Sequence, residues 1–93
     1  MVDSCEEQTY KDCIVRFTEE HFDRLFSINL MLLRKSRRMT QAELARRIGT
    51  TRNSVVQWES ALRHPDVVVI MKIALALEVS IGDLVEESAY GAG

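Results

Sequence analysis

The chain has 93 residues, 46% of them hydrophobic, with 12 Lys and Arg against 14 Asp and Glu for a net charge of −2. That length permits one compact domain, burying about 60–65% of its unfolded surface, and excludes a barrel, a doubly wound sheet or a second substantial domain. A mildly acidic average argues against a nucleic-acid partner, but residues 34–63 carry 8 basic and 2 acidic groups, a net +6, between flanks of −4 each.

Residues 1–18 read as an N-terminal extension, in which Thr9 and Asp12 can start a short helix containing Cys13, Ile14 and Phe17. No basic start leads into an apolar export segment, so the expected compartment is the cytoplasm, with Cys5 and Cys13 as reduced thiols. Those cysteines lie far from His21 and His64 in sequence, which is not the clustered spacing of a metal site. Neither a metal nor another cofactor is expected.

The apolar spacing from residue 19 onward is helical, with no alternating run long enough for a strand. Thr18 is placed to cap a first helix over about Glu19 to Arg37, carrying Phe26, Leu30 and Leu33 at i, i+4 and i+7. Thr40 followed by Glu43 reads as a capping box opening a second helix, Gln41 to about Ile48, which buries Leu44, Ala45 and Ile48. Gly49 supplies the left-handed residue that ends it. Thr51 is placed to cap a third helix, roughly Arg52 to Glu59, with Val55 and Trp58 turned inward.

Beyond Pro65, the residues Ile70, Ile73, Ala74 and Leu77 mark a fourth helix. Its neighbourhood, Val67 to Leu77, is the most apolar stretch, but it is interrupted by Lys72 and too short to span a bilayer. Ser80 and Asp83 repeat the cap-and-acid pattern and open a fifth helix with Ile81, Leu84 and Val85. The domain is thus expected over residues 19–88, with 89–93 as a flexible tail.

Two short helices joined by Gly49-Thr50-Thr51, with Ala45 permitting close approach, satisfy the packing needs of a helix-turn-helix. The segment TQAELARRIGTTRNSVVQWE (40–59), with LRKSRRM (33–39) before it and Pro65 and the Ile70/Ile73/Ala74/Leu77 pattern after it, resembles the phage-repressor and Cro family of five-helix DNA-binding domains. The resemblance covers about residues 26–87. It implies an all-α, lambda-repressor-like fold and a dimeric, sequence-specific regulator of transcription, a repressor by expectation, that binds a palindromic operator in double-stranded DNA.

Residue by residue, the resemblance places Thr51, Arg52, Asn53 and Gln57 on the groove-facing side of the third helix. Arg can be bidentate to guanine, and Asn or Gln to adenine. Gln41 would clamp a phosphate and brace the recognition helix, and Arg63 would meet the DNA backbone from the following loop. Arg34 and Glu59 match an ion pair of the scaffold. The same polar stripe is also what any solvated helix face looks like, and Lys35, Arg37, Arg38, Arg46 and Arg47 can be solubilising charge. Val56 is expected to be an exposed apolar group on the third helix, either offered to a thymine methyl or without a role.

The sequence departs from the family pattern where glycine is common before the second helix, after the third and after the fourth, positions held here by Arg38, Ala61 and Glu78. A residue with a Cβ is strained there if φ is positive. For dimerisation, Val68, Met71 and Leu75 form a second apolar stripe on the fourth helix, joined by Ile81, Leu84 and Val85 of the fifth. The alternative cover for that stripe is the N-terminal extension. The alternative function is an antitoxin-like module whose main partner is a protein. An enzyme is not expected, because no nucleophile-base constellation or phosphate loop is present.

Overall fold

The structure, a computed structural model, describes residues 18–87. They form five helices: α1 (Glu19–Ser36), α2 (Gln41–Ile48), α3 (Arg52–Glu59), α4 (Val67–Leu77) and α5 (Ile81–Val85). There is no strand among the described residues. The expected short helix at Thr9–Phe17, both cysteines and the tail from residue 89 lie outside them.

Each helix starts on a side-chain cap. The Thr18, Thr40, Thr51 and Ser80 hydroxyls accept from the amides of His21, Glu43, Ser54 and Asp83, and the Asp66 carboxylate accepts from Val69. Only one of the two expected boxes closes. Asp83 reaches back to the Ser80 amide at 3.1 Å, whereas the Glu43 carboxylate faces Arg47 at 3.4 Å. A positive side chain one turn further on competes for the Glu43 oxygens, and Asp83 has no such neighbour on its short helix.

The core gathers Phe26 and Leu30 from α1, Leu44, Ala45 and Ile48 from α2, Val55 and Trp58 from α3, and Ile70, Ile73, Ala74 and Leu77 from α4. Met39 and Leu84 complete it. The helices pack as α2 on α3, α1 across α3 and α5, and α4 against α2 and α5. The fifth helix corrects one expectation. Leu84, offered as an interface residue, is 0% exposed, because at i+3 from exposed Ile81 it turns onto α1. Val85 is half-buried against the core, which leaves it only an edge to offer.

Two buried polar residues of α1 stitch the ends of distant elements. Asn29 Nδ2 donates to the carbonyls of Leu84 (2.9 Å) and Glu86 (2.8 Å), closing α5 onto α1. The Ser27 hydroxyl donates to the Glu59 carbonyl at the end of α3. Both satisfy carbonyls that a helix end leaves without an intrahelical partner.

Four helices end in the same backbone closure. An amide five residues on returns to a carbonyl of the last turn: Met39 to Arg34 (3.1 Å), Thr50 to Ala45 (2.8 Å), Leu62 to Gln57 (2.9 Å) and Val79 to Ala74 (3.0 Å). Each closure needs a left-handed residue, supplied by Arg38 (φ 55°), Gly49 (φ 77°), Ala61 (φ 59°) and Glu78 (φ 59°). The three departures from the family pattern are therefore strained non-glycine residues in an unchanged turn. Ala61→Gly, and likewise Glu78→Gly, should raise stability by up to about 1 kcal/mol, relief of the Cβ clash being partly offset by the freer unfolded chain. Urea unfolding followed by circular dichroism reads this as a higher midpoint at constant slope, and a lower midpoint would contradict it.

Candidate nucleic-acid interface

The α2–turn–α3 hairpin fixes how α3 is presented. The two helices pack on each other, with Leu44 and Ala45 of α2 and Val55 of α3 in one buried cluster, and Gly49 reverses the chain with no atom within 4 Å of the Cβ it lacks. Helix α3 buries Ser54, Val55 and Trp58 on one face. The opposite face carries exposed Thr51, Arg52 and Asn53, with half-buried Val56 and Gln57 one turn on. The Arg52, Asn53 and Gln57 side chains make no hydrogen bond or ion pair with other described residues, so their donors and acceptors point outward uncommitted. Val56, expected to be exposed, is half-covered by the packing of α3 on its neighbours.

A buried charge cluster holds the far end of α3. Arg34 Nε and Nη2 donate to Glu59 Oε2 (2.6 Å) and Oε1 (3.0 Å), and Arg34 Nη1 donates to the Met39 carbonyl (2.7 Å). Gln41 Nε2 donates to Glu59 Oε1 at 3.0 Å. A carboxylate only accepts, so the Gln41 atom facing it must be the amide nitrogen, whose second N–H remains for another acceptor. Gln41 thereby braces α3 and keeps one donor at the head of α2.

Several basic residues have local duties. Arg37 Nε and Nη2 donate to the carbonyls of Leu77 (2.7 Å) and Glu78 (3.2 Å), capping the C-terminus of α4, and Arg47 pairs with Glu43. The +6 segment therefore offers less free charge than its count suggests. Arg63 is exposed but folded back on α3: its Nη1 donates to Ser54 Oγ at 3.1 Å and its guanidinium carbon lies 5.7 Å from the Trp58 ring centroid.

A second surface lies on α4. Val67, Val68, Met71 and Leu75 are exposed, Leu75 to 78%, and Ile81 continues the patch. Val67 and Leu62 are exposed apolar residues that the helical spacing did not single out. Phe22, His64, Pro65, Met71, Ile81 and Val85 line an open groove of about 580 Å³ beside the patch. His64 Nδ1 sits 2.7 Å from Asp23 Oδ1 at its rim.

A helical hairpin that presents an outward polar stripe on its second helix defines a helix-turn-helix domain. The profile of the helix-turn-helix family HTH_3 matches residues 30–84, and the chain belongs to that family. The family is one of DNA-binding transcriptional regulators, not of enzymes. The chain is 34% identical over 62 residues to the uncharacterized HTH-type transcriptional regulator YqaE of Bacillus subtilis, covering 67% of this chain and 53% of that protein. It thus spans about half the length of that relative.

Among solved structures, the chain is similar to the hypothetical transcription factor NHTF from Neisseria. Identity there is 29% with a TM-score of 0.69, covering 74% of this chain and 79% of that one. It is also similar to an HTH_3 family transcriptional regulator from Vibrio cholerae, at 28% identity and a TM-score of 0.69, covering 72% and 38%. Among the described residues, no helix is long and apolar enough to cross a membrane.

Proposed function

We propose that the chain is a transcriptional repressor that binds a palindromic operator as a homodimer in the cytoplasm, with α3 in the major groove. The uncommitted stripe of Arg52, Asn53 and Gln57, on a helix clamped at its end by Arg34, Gln41 and Glu59, carries this reading. Arg52, Asn53 and Gln57 read base edges together with Thr51 at the head of the helix, while the free N–H of Gln41 and the Arg63 guanidinium meet phosphates. One such domain covers about four to six base pairs, too few for a unique site, so a two-fold pair supplies the second half-site.

The apolar stripe of Val68, Met71 and Leu75, with Ile81 beside it, fits that pairing, because a two-fold axis sets the patch against its own copy. A protein partner of antitoxin-like kind is the second reading, favoured by the same exposed patch. Sedimentation velocity of the purified chain, alone and with operator duplex, tests the two. The homodimer reading expects two chains per duplex, reduced to one by Leu75→Glu. Two chains per duplex unaffected by both Met71→Glu and Leu75→Glu would contradict an interface through α4.

A further inference from the structure

Ser54 is buried at the start of α3, yet its hydroxyl joins two groups on the DNA-facing side. Arg63 Nη1 lies 3.1 Å from Ser54 Oγ, and Ser54 Oγ lies 3.1 Å from Thr51 Oγ1. Arginine has donors and no acceptor, so Ser54 Oγ must accept from Arg63. Its own proton is then available to Thr51. Thr51 Oγ1 already accepts from the Ser54 amide at 3.2 Å, and accepting the Ser54 hydroxyl proton fills its remaining acceptor position. Either hydroxyl can donate across this contact, and in the arrangement where Ser54 donates, the Thr51 hydroxyl proton points away from the helix as a donor.

The pose of Arg63 is built by the fold. The left-handed turn at Ala61 and the Leu62-to-Gln57 closure send the chain back along α3, and Trp58 offers its ring face 5.7 Å from the guanidinium carbon. The head of a helix carries positive partial charge, which does not attract a cation, so the hydrogen bond and the ring hold Arg63 there against the local field. With Ser54 donating to Thr51, the Arg63 guanidinium and the Thr51 hydroxyl are two donors tied to one serine oxygen.

We propose that Ser54 is a positioning residue that aims Arg63 and Thr51 together at a single DNA phosphate, which moves Thr51 from reading bases to contacting the backbone. The proposal rests on the DNA-binding reading above. Phosphate contacts are blind to sequence and release counterions, which separates them from base contacts. The test is fluorescence polarisation of the full chain, over a salt series, on a duplex carrying a site selected from a random library and on a scrambled duplex.

Ser54→Ala should weaken binding about tenfold on both duplexes alike, as expected for loss of a charge-assisted hydrogen bond. It should also flatten the salt dependence, by up to the full unit (about 1) that Arg63→Ala removes. Thr51→Ser should retain wild-type affinity and Thr51→Val should not. Thermal melts of each variant separate these effects from lost folding, since instability alone leaves the salt slope unchanged. Wild-type affinity and slope in Ser54→Ala would overturn the proposal, as would a loss confined to the selected duplex. If the wild-type chain binds neither duplex, the DNA-binding reading falls with it. If Arg52→Ala abolishes discrimination while Ser54→Ala is silent, only the phosphate proposal falls.

Discussion

Glu59→Ala is expected to destabilise the domain by about 3–5 kcal/mol, the range found when one partner of a buried ion pair is removed. The Arg34 and Glu59 side chains are only 10% and 6% exposed, so the guanidinium left behind would be buried without its counter-charge. Gln41 would lose its acceptor in the same step. Against a total stability of about 5–15 kcal/mol for a domain, such a loss leaves a marginal fold. Urea unfolding reads the effect directly, and Glu59→Gln separates the charge from the hydrogen bonds by keeping an acceptor oxygen in place. A loss below about 1 kcal/mol for Glu59→Ala would show that water replaces the carboxylate.

The second large effect concerns recognition. Arg52→Ala and Gln57→Ala should each reduce affinity for a selected duplex by about 5–150-fold, corresponding to about 1–3 kcal/mol per bidentate base contact. Affinity for a scrambled duplex should fall far less, mainly through the lost charge of Arg52. Neither side chain has a partner within the described fold, so melting temperatures should stay close to wild type. Titration by fluorescence polarisation gives both affinities. An equal loss on both duplexes would mean that these residues touch the backbone and not the bases.

These two predictions draw on features that differ in how visible they are in sequence. Local signals were legible because their partners lie within one turn: the caps at Thr18, Thr40, Thr51 and Ser80, the turn at Gly49, and the helical spacing of the core. The Arg34–Glu59 pair spans 25 residues and was legible only through resemblance to a family. Asn29, Ser27 and Arg37 carry no such signal. Their carbonyl partners lie 55, 32 and 40 residues away, and any residue can supply a carbonyl, so no pairing of residue types marks the contact. The available hint was position: Ser27 and Asn29 flank the stripe of Phe26 and Leu30, where a polar side chain needs a partner.

Leu84 shows the converse limit. On a five-residue helix, apolar residues at i, i+3 and i+4 do not reveal which one faces the core, and contact with α1 decides it. Charge was misleading in another way. The segment 34–63 is basic, but Arg34 and Arg37 serve the scaffold through buried or carbonyl-bound guanidinium groups. The exposed charge of the segment that serves neither of these scaffold contacts lies on Arg52, Arg63 and the basic residues around α2, and it is this charge that the proposed DNA-binding reading assigns to the duplex.

Selection of bound duplexes from a random-sequence library tests the central claim most directly. Sequence reading by α3 from a two-fold pair predicts an enriched palindrome whose half-sites repeat about 34 Å apart, one helical turn of DNA, with Arg52→Ala altering the preferred base within each half. Failure to enrich any sequence from that library, at salt concentrations where the chain still binds DNA, would contradict it.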